Sequence, residues 1–246
     1  MPNWNELLDE IKAAGSTHDM LRRKYLNKLH RLTKRNVIIY YSGWLQKAQL
    51  ASVGSGVEFG INDQDKNGFM SAVHQLDRAR GLDLILHTPG GETAATESLV
   101  DYLRAMFPDI RAIVPQLAMS AGTMVALACS EIVMGKHSSL GPIDPQIMGI
   151  PAHGVIEEFD RARIEIGQRP EMIPVWQPLI AKYPPAFIGE CEKAIEWSKE
   201  MVKEWLVSGM FAGDAKAEAK ADAVVAELAD HAITKSHARH VSPEKA

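Results

Sequence analysis

Two strand-to-helix junctions carry residue types suited to acyl-transfer chemistry. "HTPGGE" places Gly90 and Gly91 directly after an apolar run, and "MSAGT" places Ser120 before the small residue Ala121. Glycine lets the backbone adopt a positive φ and approach a ligand closely, so the amides of the pair can point at an oxyanion. A serine at the start of a helix lies near free N–H groups that favour negative charge. Ser120 is therefore consistent with either a helix N-cap or a nucleophile.

Neither junction is a phosphate loop, and the glycine pair alone is also consistent with an ordinary turn. GxGxxG and GxxxxGK[ST] are both missing from the sequence. The stretch "DQDKNG" (63–68) matches the start of a calcium loop, but its twelfth position is His74 instead of a glutamate. An acidic turn that caps a helix is the better interpretation. The histidines and the two cysteines have no zinc-binding spacing. We expect no metal and no cofactor.

Alternating strand and helix patterns bring the two junctions together. The strand-like runs are 36–44, 82–92, 110–115 and 131–135, with helical runs at 66–76, 93–107 and 120–129. This order is typical of parallel βαβ units, in which the carboxyl ends of neighbouring strands form the site. The strands are continuous apolar runs, which predicts a sheet covered on both faces.

Helical patterns flank this α/β core on both sides. Residues 4–34 predict two helices, so we divide the chain into an N-terminal helical segment (1–35) and a single domain (36–246). A loop or hairpin follows Gly141, and helices dominate from there. The last residues resemble a frayed tail in which "HARH" can dock. Apolar faces of the C-terminal helices are expected to be exposed and to contact another subunit, and they carry Trp197, Val202, Trp205 and Leu206.

Composition excludes several functional classes. The chain has 246 residues, 46% of them apolar, and a net charge of −4, which gives no electrostatic footprint for nucleic acid. The N-terminus does not have the pattern of a signal peptide, and no uninterrupted apolar segment reaches membrane-spanning length. Two distant cysteines fit a reducing compartment. We expect a cytoplasmic protein without a membrane span and without a nucleic-acid partner.

The two junctions and their surroundings resemble a known family. "ILHTPGGETAATESLVDYLR", "VPQLAMSAGTMVALACSEIVMGKHSSLGPIDPQ" and "YPPAFIGECEKAIEWSKEMV" are similar to serine dehydrogenase proteinases, over about residues 36–240. That family is similar to signal peptide peptidase A and, more distantly, to the Clp protease proteolytic subunit. The resemblance implies an α/β, crotonase-like fold of the ClpP/crotonase superfamily, with a parallel βαβ core and a helical C-terminal part. It also implies a homo-oligomer that acts on peptide or protein substrates.

The resemblance also implies roles for individual residues. Ser120 takes the place of the nucleophile that forms the acyl-enzyme. The amides of Gly91 and Ala121 take the place of the oxyanion hole, and Gly90 supplies the turn beside the substrate. A donor of this kind contributes a few kcal/mol to catalysis.

The residues leave the identity of the general base open. The Clp type has a histidine downstream of the serine, but the matching stretch "LGPIDPQ" contains only Asp144 as an ionisable residue. Signal peptide peptidase A and its relatives use a lysine, which implies Lys182 in "IAKYPPAFIGECEKAIEW". A lysine base must be neutral, and the apolar neighbours of Lys182 are consistent with burial. A surface lysine is the competing interpretation. Asp144, His137 and Lys136 remain as alternative bases.

Three functions follow from these residues. The first is a serine peptidase with a Ser120–Lys182 dyad. The second is an acyl-CoA hydratase or isomerase, in which two amides polarise a thioester and a carboxylate such as Asp144 moves the proton. The third is a non-catalytic oligomeric scaffold that has kept the fold.

Overall fold

The computed structural model describes residues 9–10, 12–13, 18–52, 58–229 and 236–243. The first of the two helices expected in 4–34 lies largely outside these residues, and the second is α1 (His18–Thr33), which contacts the first strand. The division between residues 35 and 36 stays a prediction.

The main elements follow the order expected from the sequence, except that the first strand ends at Tyr41 and is followed by a helix at Trp44–Ser52 that the pattern did not predict. The strands are β1 (Asn36–Tyr41), β2 (Leu82–His87), β3 (Ile110–Val114), β4 (Leu117–Ala118), β5 (Glu131–Met134), β6 (Ser139–Leu140), β7 (Gln146–Ile147) and β8 (Ile150–Pro151). The helices after α1 are α2 (Trp44–Ser52), α3 (Asp63–Val73), α4 (Thr93–Met106), α5 (Ala121–Leu127), α6 (Ala152–Gln168), α7 (Ile173–Ile180), α8 (Phe187–Ser208) and α9 (Ala217–Ala229).

The main sheet is parallel and has the strand order β1-β2-β3-β5. Leu84 pairs with Ala112 at its centre, and both side chains are fully buried. The prediction that both faces of the sheet are covered is confirmed for β2. The edge strands β1 and β5 are only half-buried, and Tyr41 and Val133 are exposed. These strands lack a neighbour on one side, which accounts for the difference from the prediction.

A second, smaller layer of strand pairings lies beyond the main sheet. β4 pairs in parallel with β6, and single bridges join Ile61 to Gly91, Thr88 to Ala118, and Leu140 to Val241. The bridge at Val241 shows that the described residues 236–243 of the C-terminal segment dock on the domain, whereas the rest of the expected tail lies outside the described residues. The segment with the glycine-containing junction and the segment with the serine-containing junction therefore lie side by side.

The helices pack by apolar stripes that the sequence pattern predicts. α4 buries Ala95, Leu99, Val100 and Leu103, which recur at helical spacing. The turn "DQDKNG" is a helix start: Asn62 accepts from the Gln64 amide, and a capping box links it to Asp65. The helix-capping interpretation of this stretch is confirmed.

One expectation about the C-terminal helices is wrong. Val202, Trp205 and Leu206 are buried in the main core, where α8 packs on α5 and α9, and they are not a surface for another subunit. They recur at helical spacing on one stripe of α8, and that stripe faces the domain itself. Only Trp197 stays exposed, at 38%, and its indole N–H donates to Glu97 (3.2 Å).

No helix among the described ranges is both long enough and apolar enough to pass through a lipid bilayer.

Candidate active site

Ser120 has an unusual backbone conformation at the mouth of α5. Its φ is 51° and its ψ is −121°, a region that residues with a side chain rarely adopt. Ser120 occupies the N-cap position, yet its side chain makes no capping hydrogen bond. Its carbonyl accepts from the amides of Thr123 (2.8 Å) and Met124 (3.1 Å). The backbone carbonyl of Ser120 is thus hydrogen-bonded within the first turn of the helix, while the side-chain hydroxyl is left available for another partner.

The Thr123 side chain stabilises the backbone conformation of Ser120. Its hydroxyl donates to the Ala118 carbonyl (2.7 Å) and accepts from the Gly141 amide (2.8 Å), and the side chain is fully buried. The hydroxyl thus ties the strand before Ser120 to the loop that follows β6. A non-glycine residue in such a region costs about 1–3 kcal/mol and persists only where its surroundings fix it.

Gly90 lies directly against Ser120. Its φ of 107° favours glycine, and a Cβ at this position would stand 2.7 Å from Ser120 Cβ and 2.8 Å from the Met119 carbonyl oxygen. No side chain fits there. The "PGG" turn is therefore part of the wall around Ser120.

The Gly91 amide points away from the neighbouring strand segment at Ile61. The Gly90 carbonyl accepts from the Ile61 amide (2.7 Å), and the Ile61 carbonyl accepts from the Glu92 amide (2.9 Å). The peptide between Gly90 and Gly91 is trans, so its N–H points opposite to its carbonyl and away from Ile61.

The amides of Gly91 and Ala121 are both unused. Neither donates a hydrogen bond to any residue that the structure describes. Gly91 is exposed, so its N–H is accessible to a substrate. The structure therefore brings four of the predicted site residues together: Gly90, Gly91, Ser120 and Ala121.

Asp144 is buried close to this group, at the end of the loop that starts at Gly141. Its side chain is 1% exposed, and its Oδ1 accepts from Nδ1 of His237 (2.9 Å). Its Oδ2 is buried and has no partner among the described residues. The loop touches the nucleophile position, because a Cβ at Gly141 would stand 3.1 Å from the Ser120 nitrogen. Sequence reasoning missed the role of His237, and its only signal was the "HARH" stretch.

Comparison with known protein families identifies the family of this chain. The model of the ClpP-like SDH-type serine proteinases matches residues 10–243. The chain belongs to that family.

Two curated relatives come from the archaeon Methanocaldococcus jannaschii, and both are uncharacterized proteins. MJ0137 is 36% identical over 101 residues, which cover 41% of this chain and 35% of the relative. MJ1495 is 31% identical over 157 residues, which cover 63% of this chain and 53% of the relative. The chain thus spans between about a third and half of the length of these relatives.

In this member of the family, Lys182 lies in a different surface feature from the glycine–serine group. Lys182 is exposed in the turn between α7 and α8, and it lines an open, largely apolar cavity of about 400 Å³. Tyr183, Phe187 and Trp176 form aromatic walls of this cavity, whereas Ser120 and its glycine neighbours do not line it. No hydrogen bond joins Lys182 to Ser120 within the described part of the chain.

The other alternative bases lie on a surface turn after β5. Lys136 and His137 are exposed, and the turn closes through the Gly135 amide, which donates to the Ser138 hydroxyl (2.9 Å). His137 lines a shallow pocket of about 300 Å³ that also includes His87. Of the alternative bases, only Asp144 is buried.

His87 is a buried structural histidine at the end of β2. Its ring stacks on Tyr41 (4.9 Å between centroids) and packs against Trp44 (4.5 Å). Burial lowers its pKa, although its hydrogen bond with Gln116 (3.2 Å) works in the other direction. The ring is therefore held in its neutral form.

The cysteines and acidic residues form no further reactive centre. Cys129 and Cys191 are buried free thiols, and burial raises the pKa of Cys129 to about 12, which leaves it unreactive. Across the ranges described here, no three His, Cys, Asp or Glu side chains are grouped so that they could hold a metal ion.

Proposed function

We propose that this ClpP-like protein is a serine peptidase that forms an acyl-enzyme on Ser120. The observation that carries the proposal is the pair of unused amides at a strained Ser120: Ala121 follows the serine directly, and Gly91 follows Gly90, which contacts it. Strained backbone at a residue with a reactive side chain is common at active sites. Membership in a serine proteinase family supports the same chemistry.

The mechanism proposed here has two steps. Ser120 Oγ attacks the scissile carbonyl, and the negative charge that forms on its oxygen is stabilised by the N–H groups of Gly91 and Ala121. The hydroxyl proton passes to a base, which then gives it to the leaving amine as the C–N bond breaks. Water attacks the resulting ester and releases the acid product.

We assign the base to Lys182, as the family resemblance implies. A lysine acts as a base only when it is neutral, and burial in apolar surroundings favours the neutral form. The aromatic residues beside Lys182 can supply such surroundings when a substrate covers the exposed turn. Catalytic hydrogen bonds often tighten only in the substrate complex, which is consistent with the open position of this side chain. The dyad therefore requires closure of the turn around Lys182 toward Ser120.

The proposed substrate class rests on the unused amide of Gly91, which is exposed. An extended peptide laid along Gly90 and Gly91 would receive backbone hydrogen bonds in the manner of an added strand. We also infer that the fold belongs to the wider crotonase-like group.

We further propose that the protein forms a homo-oligomer, with a surface different from the one that the sequence suggested. Exposed apolar side chains cluster on α7 and on the β7–β8 hairpin: Met148, Ile150, Val175 and Leu179. A second copy of the chain would cover them. Sedimentation of the wild type beside Val175→Glu tests this, because an unchanged mass for the variant contradicts the assigned surface.

A labelling experiment tests the peptidase function. A fluorophosphonate probe should label the wild type at Ser120, and Ser120→Ala should lose both labelling and peptide hydrolysis. Ser71→Ala is the matched control, because Ser71 is exposed on α3 and far along the chain from the site. A wild type that is not labelled and hydrolyses no peptide would contradict the proposal.

An acyl-CoA hydratase or isomerase is the second candidate. The observation that favours it is the buried Asp144 with an unpartnered Oδ2, a carboxylate that could move a proton. Turnover of an enoyl-CoA by a protein that ignores the serine probe would select this function. A protein inactive in both assays would be a scaffold.

A further inference from the structure

The C-terminal segment forms an isolated antiparallel bridge with β6, on the side of β6 away from β4. Val241 donates to the Leu140 carbonyl (2.9 Å), and Leu140 donates back to the Val241 carbonyl (3.0 Å). Val241 is buried in the main core. Since β6 pairs with β4, and β4 leads into Ser120, this segment lies two strands away from the nucleophile position.

His237 fixes the same segment to the loop behind Ser120. Its Nδ1 donates to Asp144 across 93 positions of sequence, and its side chain is 22% exposed, whereas Asp144 is fully enclosed. Asp144 has no other partner in the described residues. A buried carboxylate that loses this hydrogen-bond donor is left uncompensated, and a shift of the loop that hydrates it relieves the cost.

The loop transmits such a shift to Ser120. It begins at Gly141, which packs against the Ser120 nitrogen and donates to Thr123. Thr123 in turn donates to Ala118, two residues before the serine. These contacts are among those that hold Ser120 at its positive φ. A misplacement of about 1 Å at a reacting group can cost about 100-fold in rate.

We propose that His237 is a positioning residue for Ser120, which it holds in its reactive backbone conformation through Asp144 and the 141–144 loop. The proposal rests on the proposed function, in which Ser120 is the nucleophile. It assigns the C-terminal segment a direct part in the construction of the site, and it holds whether Lys182, Lys136 or His137 accepts the proton.

The test compares His237→Ala, His237→Asn and His240→Ala in the full chain. Asparagine places an amide nitrogen where His237 Nδ1 lies, so it can still donate to Asp144. His240 is an exposed histidine of the same segment and serves as the matched control. Each variant is measured for the rate of Ser120 labelling by a fluorophosphonate, for kcat and KM on a peptide, and for its unfolding midpoint.

We expect His237→Ala to slow both labelling and kcat by about 10- to 100-fold, with KM within about twofold of the wild type. His237→Asn should recover most of the rate, and His240→Ala should match the wild type. A folded His237→Ala variant that is labelled at the wild-type rate overturns the proposal. Where His237→Ala does not fold, the Asn variant decides, and a folded Asn variant as slow as Ser120→Ala overturns it.

These outcomes are separate from a failure of the proposed function. An unlabelled wild type would refute Ser120 as a nucleophile whatever the behaviour of His237. A wild type that is labelled normally, together with a fast His237→Ala variant, would refute only the positioning role.

Discussion

Gly90 and Ser120 approach so closely that a Cβ on Gly90 would stand 2.7 Å from Ser120 Cβ. The two residues come from different strand-to-helix junctions, and their contact sets the distance between the glycine turn and the serine. The mutation Gly90→Ala should therefore separate the two junctions.

We expect Gly90→Ala to abolish labelling of Ser120 and to lower the free energy of unfolding by more than about 2 kcal/mol, through both clash and strain. Gly213→Ala is the matched control. Gly213 also has a positive φ (81°), but nothing lies within 4 Å of its Cβ position, so it tests strain alone. Chemical denaturation of the two variants measures the difference. Equal losses would mean that the contact with Ser120 is not tight.

The backbone strain at Ser120 predicts a conflict between stability and activity. Ser120→Gly should raise the free energy of unfolding by about 1 kcal/mol, because glycine tolerates a φ of 51°, and should remove peptidase activity. Lys34→Gly is the control, since Lys34 also has a positive φ (62°) but lies at the end of α1. Lys34→Gly should raise the free energy of unfolding without loss of peptidase activity. Denaturation curves measure the change in stability, and peptide hydrolysis measures the change in activity. A Ser120→Gly variant less stable than the wild type would show that the Ser120 backbone is not strained.

Removal of the Lys182 amine tests the proposed base. Lys182→Ala should reduce kcat by about 100- to 10,000-fold, the range of general-base catalysis, and leave the fold unchanged because the side chain is exposed. Lys193→Ala serves as the control, because Lys193 is an exposed lysine on α8 whose ion pair with Glu190 contributes little. If Lys182→Ala keeps its activity, the base must be sought among Asp144, His137 and Lys136.

The buried ring of His87 predicts a pH dependence of stability. Because burial lowers its pKa in the folded state, the unfolded chain binds the proton first, and stability falls as the pH drops below about 6.5. The loss is at most about 1.4 kcal/mol per pH unit, until the folded-state pKa is reached.

His87→Phe keeps the stacking on Tyr41 and removes the titration. Its free energy of unfolding should change less between pH 7.5 and 5.5 than that of the wild type. The exposed His74→Gln variant should follow the wild type. If the free energy of unfolding depends on pH in the same way for the wild type and His87→Phe, a group other than His87 causes the dependence.

The order of strands and helices was predictable because it depends on local pattern. Apolar runs such as "LDLIL" and "IRAIV" form strands of the main sheet, and the stripe that contains Leu99 and Leu103 forms a helix. Burial was less predictable. The apolar face of α8, including Trp205, was expected at the surface but lies in the core, because helical spacing shows that a face exists and not what covers it.

Part of the candidate site was also visible in the sequence. The two junctions, "HTPGGE" and "MSAGT", are local features, and the parallel order of strands predicts that they meet. The Asp144–His237 pair was not visible, because its members are 93 positions apart and no local pattern joins them. The position of Lys182 relative to Ser120 likewise depends on how a helical insertion packs.

By itself the sequence determined the residue types at the site, the alternation of strands and helices, and the family to which they point. Tertiary structure alone decided the positive φ of Ser120, the direction of the Gly91 amide, and the partner of Asp144. Each of these depends on contacts between distant segments: Thr123 with Gly141, Ile61 with Gly90, and Asp144 with His237. Backbone dihedrals and hydrogen-bond directions at a site are fixed by packing across the fold, and local sequence restricts them without selecting one.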